Sequence, residues 1–155
     1  MSAARSGGLD VTEALLDHGA DVDAQNANGA TALMRAAERG REDIVSALLR
    51  HKADVSLKDA LGRSALMRAA AQGHARVVEL LLDSGARVNE RSDAGWTACM
   101  LAAVAGHEEA SEVLLARGAD TRARTKLGWT AEMLARRKRY ATIVQRLRAV
   151  SAAAK

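Results

Sequence analysis

Proline and phenylalanine are absent from this chain of 155 residues, which also has only one tyrosine and one cysteine. The single cysteine, Cys99, excludes an internal disulfide and a cysteine-rich metal site. The longest unbroken apolar run, residues 98–105, is far shorter than the ~20 residues that a membrane-spanning helix needs. The opening segment MSAARSGGLD is not an apolar signal segment. We therefore expect no membrane span and an intracellular, cytoplasmic protein, with the nucleus as the alternative.

The apolar residues, which make up 48% of the chain, are mostly alanine, leucine and valine. Small side chains favour close helix–helix packing over a β-sandwich core, and the lack of proline also favours helices. The net charge of +4 is unevenly distributed. Residues 125–155 hold eight basic side chains and one carboxylate, a net of +7, so the basic character belongs to the C-terminal end.

Glycine and leucine recur with a period of 33 residues. Such a fixed period indicates a solenoid, in which each unit buries its apolar face against its neighbours. One glycine series is Gly29, Gly62, Gly95 and Gly128; a second is Gly7, Gly40, Gly73 and Gly106; the leucines are Leu15, Leu48, Leu81, Leu114 and Leu147.

A single unit predicts two short helices. Ser64 is suited to cap a helix over 65–72, which Gly73 would end. Apolar residues at helical spacing predict a second helix over 75–83, and Gly85 stands where a left-handed residue often follows a helix. Polar turn-forming residues then lead into the next unit. Each unit is therefore predicted as turn, helix, turn, helix.

These units resemble the ankyrin repeat over nearly the whole chain. The resemblance implies an all-α repeat solenoid of helix–turn–helix units joined by β-hairpin-like loops. Two departures stand out: the family's T-P-L-H sequence reads T-A-x-M, and Lys52 replaces the capping glycine of the other units. The matching features are the T/S-A-x-M sequences at 31–34, 64–67, 97–100 and 130–133, the pairs Ala36–Ala37, Ala69–Ala70 and Ala102–Ala103, the Gly-His pairs at 73–74 and 106–107, and endings such as LLDHGADVDAQ.

The period divides a single domain, 1–155, into five units. Residues 1–7 align with 34–40, so the chain is expected to begin inside a first helix. Arg136 and Arg148 replace an alanine and a leucine of the other units, as expected of a polar cap in a unit without a further neighbour. The units are a partial N-terminal cap, 1–25, three full repeats, 26–58, 59–91 and 92–124, and a C-terminal cap, 125–155.

No residue pattern predicts catalysis. The histidines form two pairs, each 33 residues apart, whereas packed helices lie ~8–10 Å apart and zinc ligands lie ~2 Å from one point. We interpret all four as structural and Cys99 as a core residue. There is also no nucleophile elbow, phosphate loop or dinucleotide fingerprint. We expect a protein that is not an enzyme, with no catalytic residue, no metal and no cofactor.

The unit-to-unit differences mark the candidate binding residues. The position of Trp96 reads Ala30, Arg63, Trp96 and Trp129, whereas core positions change little. In the ankyrin family such variable positions, at hairpin tips and on first helices, form a concave binding surface. Tryptophan and arginine are also enriched at interface hot spots. The predicted partner-binding residues are Leu61, Arg63, Arg91, Trp96, Arg124, Leu127, Trp129 and Arg137.

The sequence thus predicts a non-catalytic protein–protein interaction module, expected to be a monomer, whose partner offers an apolar and acidic segment. Three alternatives stay open. The tryptophans could only stiffen the hairpins. The basic C-terminal repeat could bind nucleic acid or another polyanion. The domain could also be an accessory interaction domain of a larger protein.

Overall fold

The computed structural model describes residues 3–153, with side chains from residue 8 onward; residues 1, 2, 154 and 155 of the predicted end units lie outside it. Within that range the chain forms helices and no strand. No helix there is long and apolar enough to cross a membrane. The helices are α1 (Ala3–Asp17), α2 (Ala32–Glu38), α3 (Glu42–Arg50), α4 (Ala65–Gln72), α5 (Ala75–Asp83), α6 (Ala98–Ala105), α7 (Glu108–Ala116), α8 (Ala131–Arg137) and α9 (Ala141–Ala153).

The helices form two layers. The first helices of the units, α2, α4, α6 and α8, pack in sequence on one another, and the second helices, α3, α5, α7 and α9, do the same. Each first helix also packs on its own second helix, so the main helix contacts of the described residues lie within a unit or between neighbouring units. This arrangement confirms the all-α repeat solenoid, and the helices predicted over 65–72 and 75–83 have those bounds.

Each first helix begins at a hydroxyl cap. The side-chain oxygen of Ser64 or of a threonine accepts a hydrogen bond from the backbone N–H of the methionine three residues later. This bond satisfies one of the free N–H groups of the first turn. The T/S-A-x-M sequence is therefore a capping signal, although it lacks the family's proline and histidine. The capping pairs are Thr31–Met34, Ser64–Met67, Thr97–Met100 and Thr130–Met133.

The first unit differs from the repeat pattern. The alignment places Gly7 where Gly40 and Gly73 end a first helix, but α1 continues through this position to Asp17. Because α1 packs on α3, it lies in the layer of second helices, and the described part of this unit has no first helix. Leu15, the equivalent of the buried Leu48, is consequently 57% exposed.

Ion pairs join the polar side chains that replace apolar ones in the last unit. Glu132 occupies a position that is apolar in the preceding units. Its Oε1 accepts hydrogen bonds from Arg136 at 2.8 Å and from Arg148 at 2.9 Å. Polar substitutions that would be buried between two internal units therefore pair with one another on this outer surface.

Lys52 has a left-handed backbone, as its alignment with capping glycines predicts. Its φ is 62°, a conformation that costs a non-glycine residue about 1 kcal/mol. The side chain itself is exposed. We expect Lys52→Gly to raise the free energy of unfolding by about 0.5–1 kcal/mol, measured by denaturant melts, because the backbone strain is relieved. Lys52→Ala, which removes the side chain but keeps the strain, should give no gain; an equal gain from both variants would contradict this account.

Candidate functional site

The two tryptophans stand in equivalent hairpin turns. The backbone N–H of Ser92 donates to the carbonyl of Trp96 at 2.9 Å, and the N–H of Trp96 donates to the Ser92 hydroxyl at 3.1 Å. Thr125 and Trp129 make the same two bonds at 2.9 and 3.1 Å. The turn is held by the backbone and by the residue four positions earlier, so the side chain at the tryptophan position is free to vary between units.

Successive hairpins are joined into a continuous row. The N–H of Asp93 donates to the carbonyl of Leu61 at 3.2 Å, and the N–H of Lys126 donates to the carbonyl of Ala94 at 3.0 Å. These bonds link the tips of the third, fourth and fifth units, and they fix where Leu61, Trp96 and Trp129 lie along the row.

Arg91 and Arg124 take part in this row. The guanidinium of Arg91 donates to the carbonyl of Arg124, which lies one unit further along. Arg124 donates to the carbonyl of Gly128 in its own hairpin at 2.9 Å. Lys58 makes the equivalent bond to the carbonyl of Arg91 at 3.0 Å. Both predicted binding residues therefore make hydrogen bonds that join or close the hairpins.

Three predicted binding residues meet in one cavity. Leu61, Arg63 and Trp96 line a cavity of 310 Å³ together with Leu101 of α6 and the hairpin residues 92–94. Leu61 is 59% exposed, whereas Trp96 is half-buried against the core. The cavity thus lies between hairpin tips and a first helix, and apolar side chains form much of its wall.

Trp129, Leu127 and Arg137 lie in the fifth unit, outside this cavity. The guanidinium carbon of Arg137 lies 5.6 Å from the centroid of the Trp129 ring, which is within cation–π range. Trp129 is half-buried, while Leu127 at the hairpin tip is 85% exposed. The hairpin tips and first helices of units two to five form one surface, which we call the hairpin–helix groove. It includes these residues and the cavity described above.

A chain of five alternating charges occupies the groove in units two and three. Glu38 forms ion pairs with Arg35 at 3.3 Å and with Arg68 at 3.1 Å. Asp59 accepts from Arg68 at 2.7 Å and from Arg63 at 2.9 Å. Of these residues, the sequence prediction included only Arg63. The position of Arg68 reads Arg35, Arg68, Leu101 and Leu134 in successive units, and this variation could have marked it.

Asp59 is the centre of this chain. Its Oδ1 accepts the backbone N–H groups of Leu61 and Arg63, both at 2.9 Å, and its Oδ2 binds the two guanidinium groups. Burial acts to raise the pKa of Asp59, but these four hydrogen bonds outweigh it and hold the pKa at about 2. The carboxylate is therefore charged at any physiological pH.

The histidines and the cysteine have structural surroundings. Nε2 of His74 and of His107 each hydrogen-bonds a carbonyl of the preceding unit at 3.1 Å, Glu38 and Ala71 respectively. Cys99 is buried, and burial, with a smaller effect from Asp120, raises the pKa of its thiol to about 12. The thiol is therefore protonated at neutral pH. In the described part of the chain, no group of three histidine, cysteine or carboxylate side chains could hold a metal ion.

The comparison with protein families agrees with the repeat geometry. A family model described as ankyrin repeats (3 copies) matches residues 1–92 and residues 85–154. The two matches overlap and together cover residues 1–154, which is nearly the whole chain. No curated protein matches the chain significantly.

Proposed function

The chain belongs to the ankyrin repeat family, and from that premise we propose that it binds a protein partner in the hairpin–helix groove. Ankyrin repeats are generally protein–protein interaction modules. The contacting residues that we propose are Leu61, Arg63, Trp96, Leu127, Trp129 and Arg137, whereas Arg91 and Arg124 support the site by holding the hairpin row.

The observation that carries this proposal is the open cavity beside Trp96. A half-buried tryptophan, a 59%-exposed leucine and an arginine line one depression between hairpins and helix. Tryptophan and arginine are the side chains most enriched at interface hot spots, and such anchors are effective where a pocket excludes water around them. The equivalent tryptophan position holds a buried alanine, Ala30, in the second unit, so the fold itself does not require an indole there.

The polyanion alternative has less support, because most of the C-terminal arginines are already engaged. Arg136 and Arg148 bind Glu132, Arg146 binds Glu112 at 2.6 Å, and Arg137 stacks on Trp129. Nucleic-acid binding depends on basic side chains that neutralise phosphates. We therefore favour a protein partner.

We expect Trp96→Ala combined with Trp129→Ala to reduce partner capture at least about tenfold, because the two largest anchors of the groove are removed. The measurement is affinity capture from native lysate with quantification by mass spectrometry, together with a thermal melt of each variant. Val11→Ala with Leu15→Ala is the matched control, since it removes exposed apolar side chains from α1, outside the groove. Unchanged capture by the tryptophan variant, with a cooperative melt, would refute the groove assignment.

A further inference from the structure

The apolar cavity beside Trp96 has a polar neighbour. A second cavity, of 470 Å³, has among its lining residues Asn28, Arg35, Glu38, Asp59, Arg63 and Arg68. Leu61 and Arg63 line both cavities, so the two adjoin along the hairpin–helix groove. Any segment that lies across Leu61 would contact an apolar wall on one side and a charged wall on the other.

The polar cavity carries an excess of positive charge. Three guanidinium groups, those of Arg35, Arg63 and Arg68, face two carboxylates, those of Glu38 and Asp59. Arg63 uses only its Nε, and Arg35 only one terminal nitrogen, in hydrogen bonds to described residues. The Nε of Arg68, which is buried, also lacks a partner in that part of the chain. The polar cavity therefore has unused donors and one more guanidinium group than carboxylates in its lining, while Asp93 lines the adjoining apolar cavity. A ligand carboxylate in the polar cavity would accept hydrogen bonds from the unused donors.

The apolar cavity sets the second requirement. Leu61 is 59% exposed, and Trp96 and Leu101 are only partly buried against the core. Burial of a partner's apolar side chain against their exposed surface would be favourable by the hydrophobic effect. Its 310 Å³ lies at the lower end of the range of small-molecule pockets, which suits one bulky side chain.

We propose that this double cavity recognises a linear segment of a partner protein in which a carboxylate side chain stands close to a bulky apolar side chain. The carboxylate accepts hydrogen bonds from Arg35 and Arg63, and the apolar side chain packs between Leu61, Trp96 and Leu101. The inference rests on the proposed protein-binding function and specifies its partner. In an extended segment, residues two positions apart project to the same side, so the acidic and apolar residues are expected within about two positions of each other.

The test is selection of a displayed library of random 12-residue peptides on the full chain. We expect the enriched peptides to share an aspartate or glutamate within about two positions of a leucine, isoleucine, methionine, phenylalanine or tryptophan. A synthetic six-residue peptide around that pair is then titrated by fluorescence anisotropy. Replacing its acidic residue by the matching amide should weaken binding about tenfold, since a charge-assisted hydrogen bond is lost.

Variants of the protein locate the two halves of the site. Arg63→Gln should weaken the acidic peptide about tenfold but leave the amide peptide nearly unaffected, so the two losses are not additive. Leu61→Ala should weaken both peptides. Val11→Ala is the matched control, because Val11 is 59% exposed, as Leu61 is, but lies on α1 outside the groove and lines neither cavity; it should change binding less than twofold.

Three results would overturn the inference. They are enriched peptides without the acidic–apolar pair, equal affinity for the acidic and amide peptides, and no enrichment of any peptide. None of them overturns the proposed function, which fails instead if the double tryptophan variant captures partners as well as the wild-type protein does.

Discussion

Replacing Asp59 with alanine is expected to lower the free energy of unfolding by about 3 kcal/mol. The substitution removes an acceptor of four hydrogen bonds, two from backbone N–H groups and two from guanidinium groups. Arg68, of which 8% of the side chain is exposed, would keep only its bond to Glu38. Removing one partner of a buried ion pair typically costs ~3–5 kcal/mol, because the other charge stays buried. Urea melts at neutral pH measure the loss.

Asp59→Asn distinguishes the contribution of the charge to stability from that of the hydrogen bonds in the turn. The second unit has an asparagine at this position, Asn26, whose Oδ1 accepts the N–H groups of Asn28 and Ala30 at 3.0 Å. Asparagine at 59 should therefore keep the hairpin bonds and lose only the charge, so its cost should lie about 1 kcal/mol below that of alanine. Asp93→Asn, at an exposed hairpin tip, is the control and should be nearly neutral.

The stability difference between wild type and Asp59→Asn should depend on pH. The pKa of Asp59 is lowered from 3.8 to about 2, so its stabilising contribution is fully present above about pH 4 and is lost as the pH falls towards 2. A shift of this size corresponds to about 2 kcal/mol. Melts at pH 6 and pH 2.5 should show the gap shrinking. If the stability difference between the two proteins stayed constant over this range, the result would contradict the conclusion that the charge of Asp59 stabilises the fold.

Gly73→Ala is expected to cost about 3 kcal/mol. Gly73 ends α4 with a φ of 77°, and a Cβ there would lie 2.4 Å from Nδ1 of His107. The left-handed conformation costs ~1–2 kcal/mol for alanine, and the displaced ring would lose its hydrogen bond to the carbonyl of Ala71, worth about 1 kcal/mol. Thermal and denaturant melts measure the sum.

Gly118→Ala is the matched control for the steric contribution. Gly118 has a φ of 84°, but among the described residues no atom lies within 4 Å of a Cβ placed there. It should therefore cost only about 1–2 kcal/mol, from the backbone alone. Combining Gly73→Ala with His107→Ala should be less harmful than the sum of the two single changes, because the clash is removed. Additive losses would show that the ring is not what excludes a side chain at 73.

Local chemistry made the unit predictable. A serine or threonine before A-x-M caps a helix through a hydrogen bond within the first turn. A glycine after the helix accepts the left-handed conformation. Helix bounds such as 65–72 therefore follow from short-range rules. The period of 33 then determined that the helices stack in order. The same period marked Trp96 and Trp129 as variable positions, but it did not show that both indoles pack partly against the core or that Ala30 is buried at the equivalent position.

The role of an individual surface residue was not predictable in the same way. Arg91 and Arg124 look like free basic side chains in the sequence. The guanidinium of Arg91 binds a carbonyl that the stacking of hairpins brings within reach, and that of Arg124 binds a carbonyl of its own hairpin. Conversely, Arg68 looks like an ordinary helix residue, yet stacking buries it between Glu38 and Asp59. The carbonyl of Arg124 and the carboxylate of Glu38 come from units next to those of Arg91 and Arg68, and sequence spacing does not show how such groups meet.

The sequence by itself determined the repeat, its helices and caps, and the family, because these depend on contacts within a unit and on the repetition of one pattern. Only the tertiary structure decided how the end units behave and how the groove is built. Arg139 occupies the repeat position of Gly73 and takes a φ of 65°. Gly73 itself cannot accept a side chain, because the ring of His107 from the following unit packs on it. Likewise, the double cavity around Leu61 and Arg63 exists because neighbouring units place their hairpins and first helices side by side.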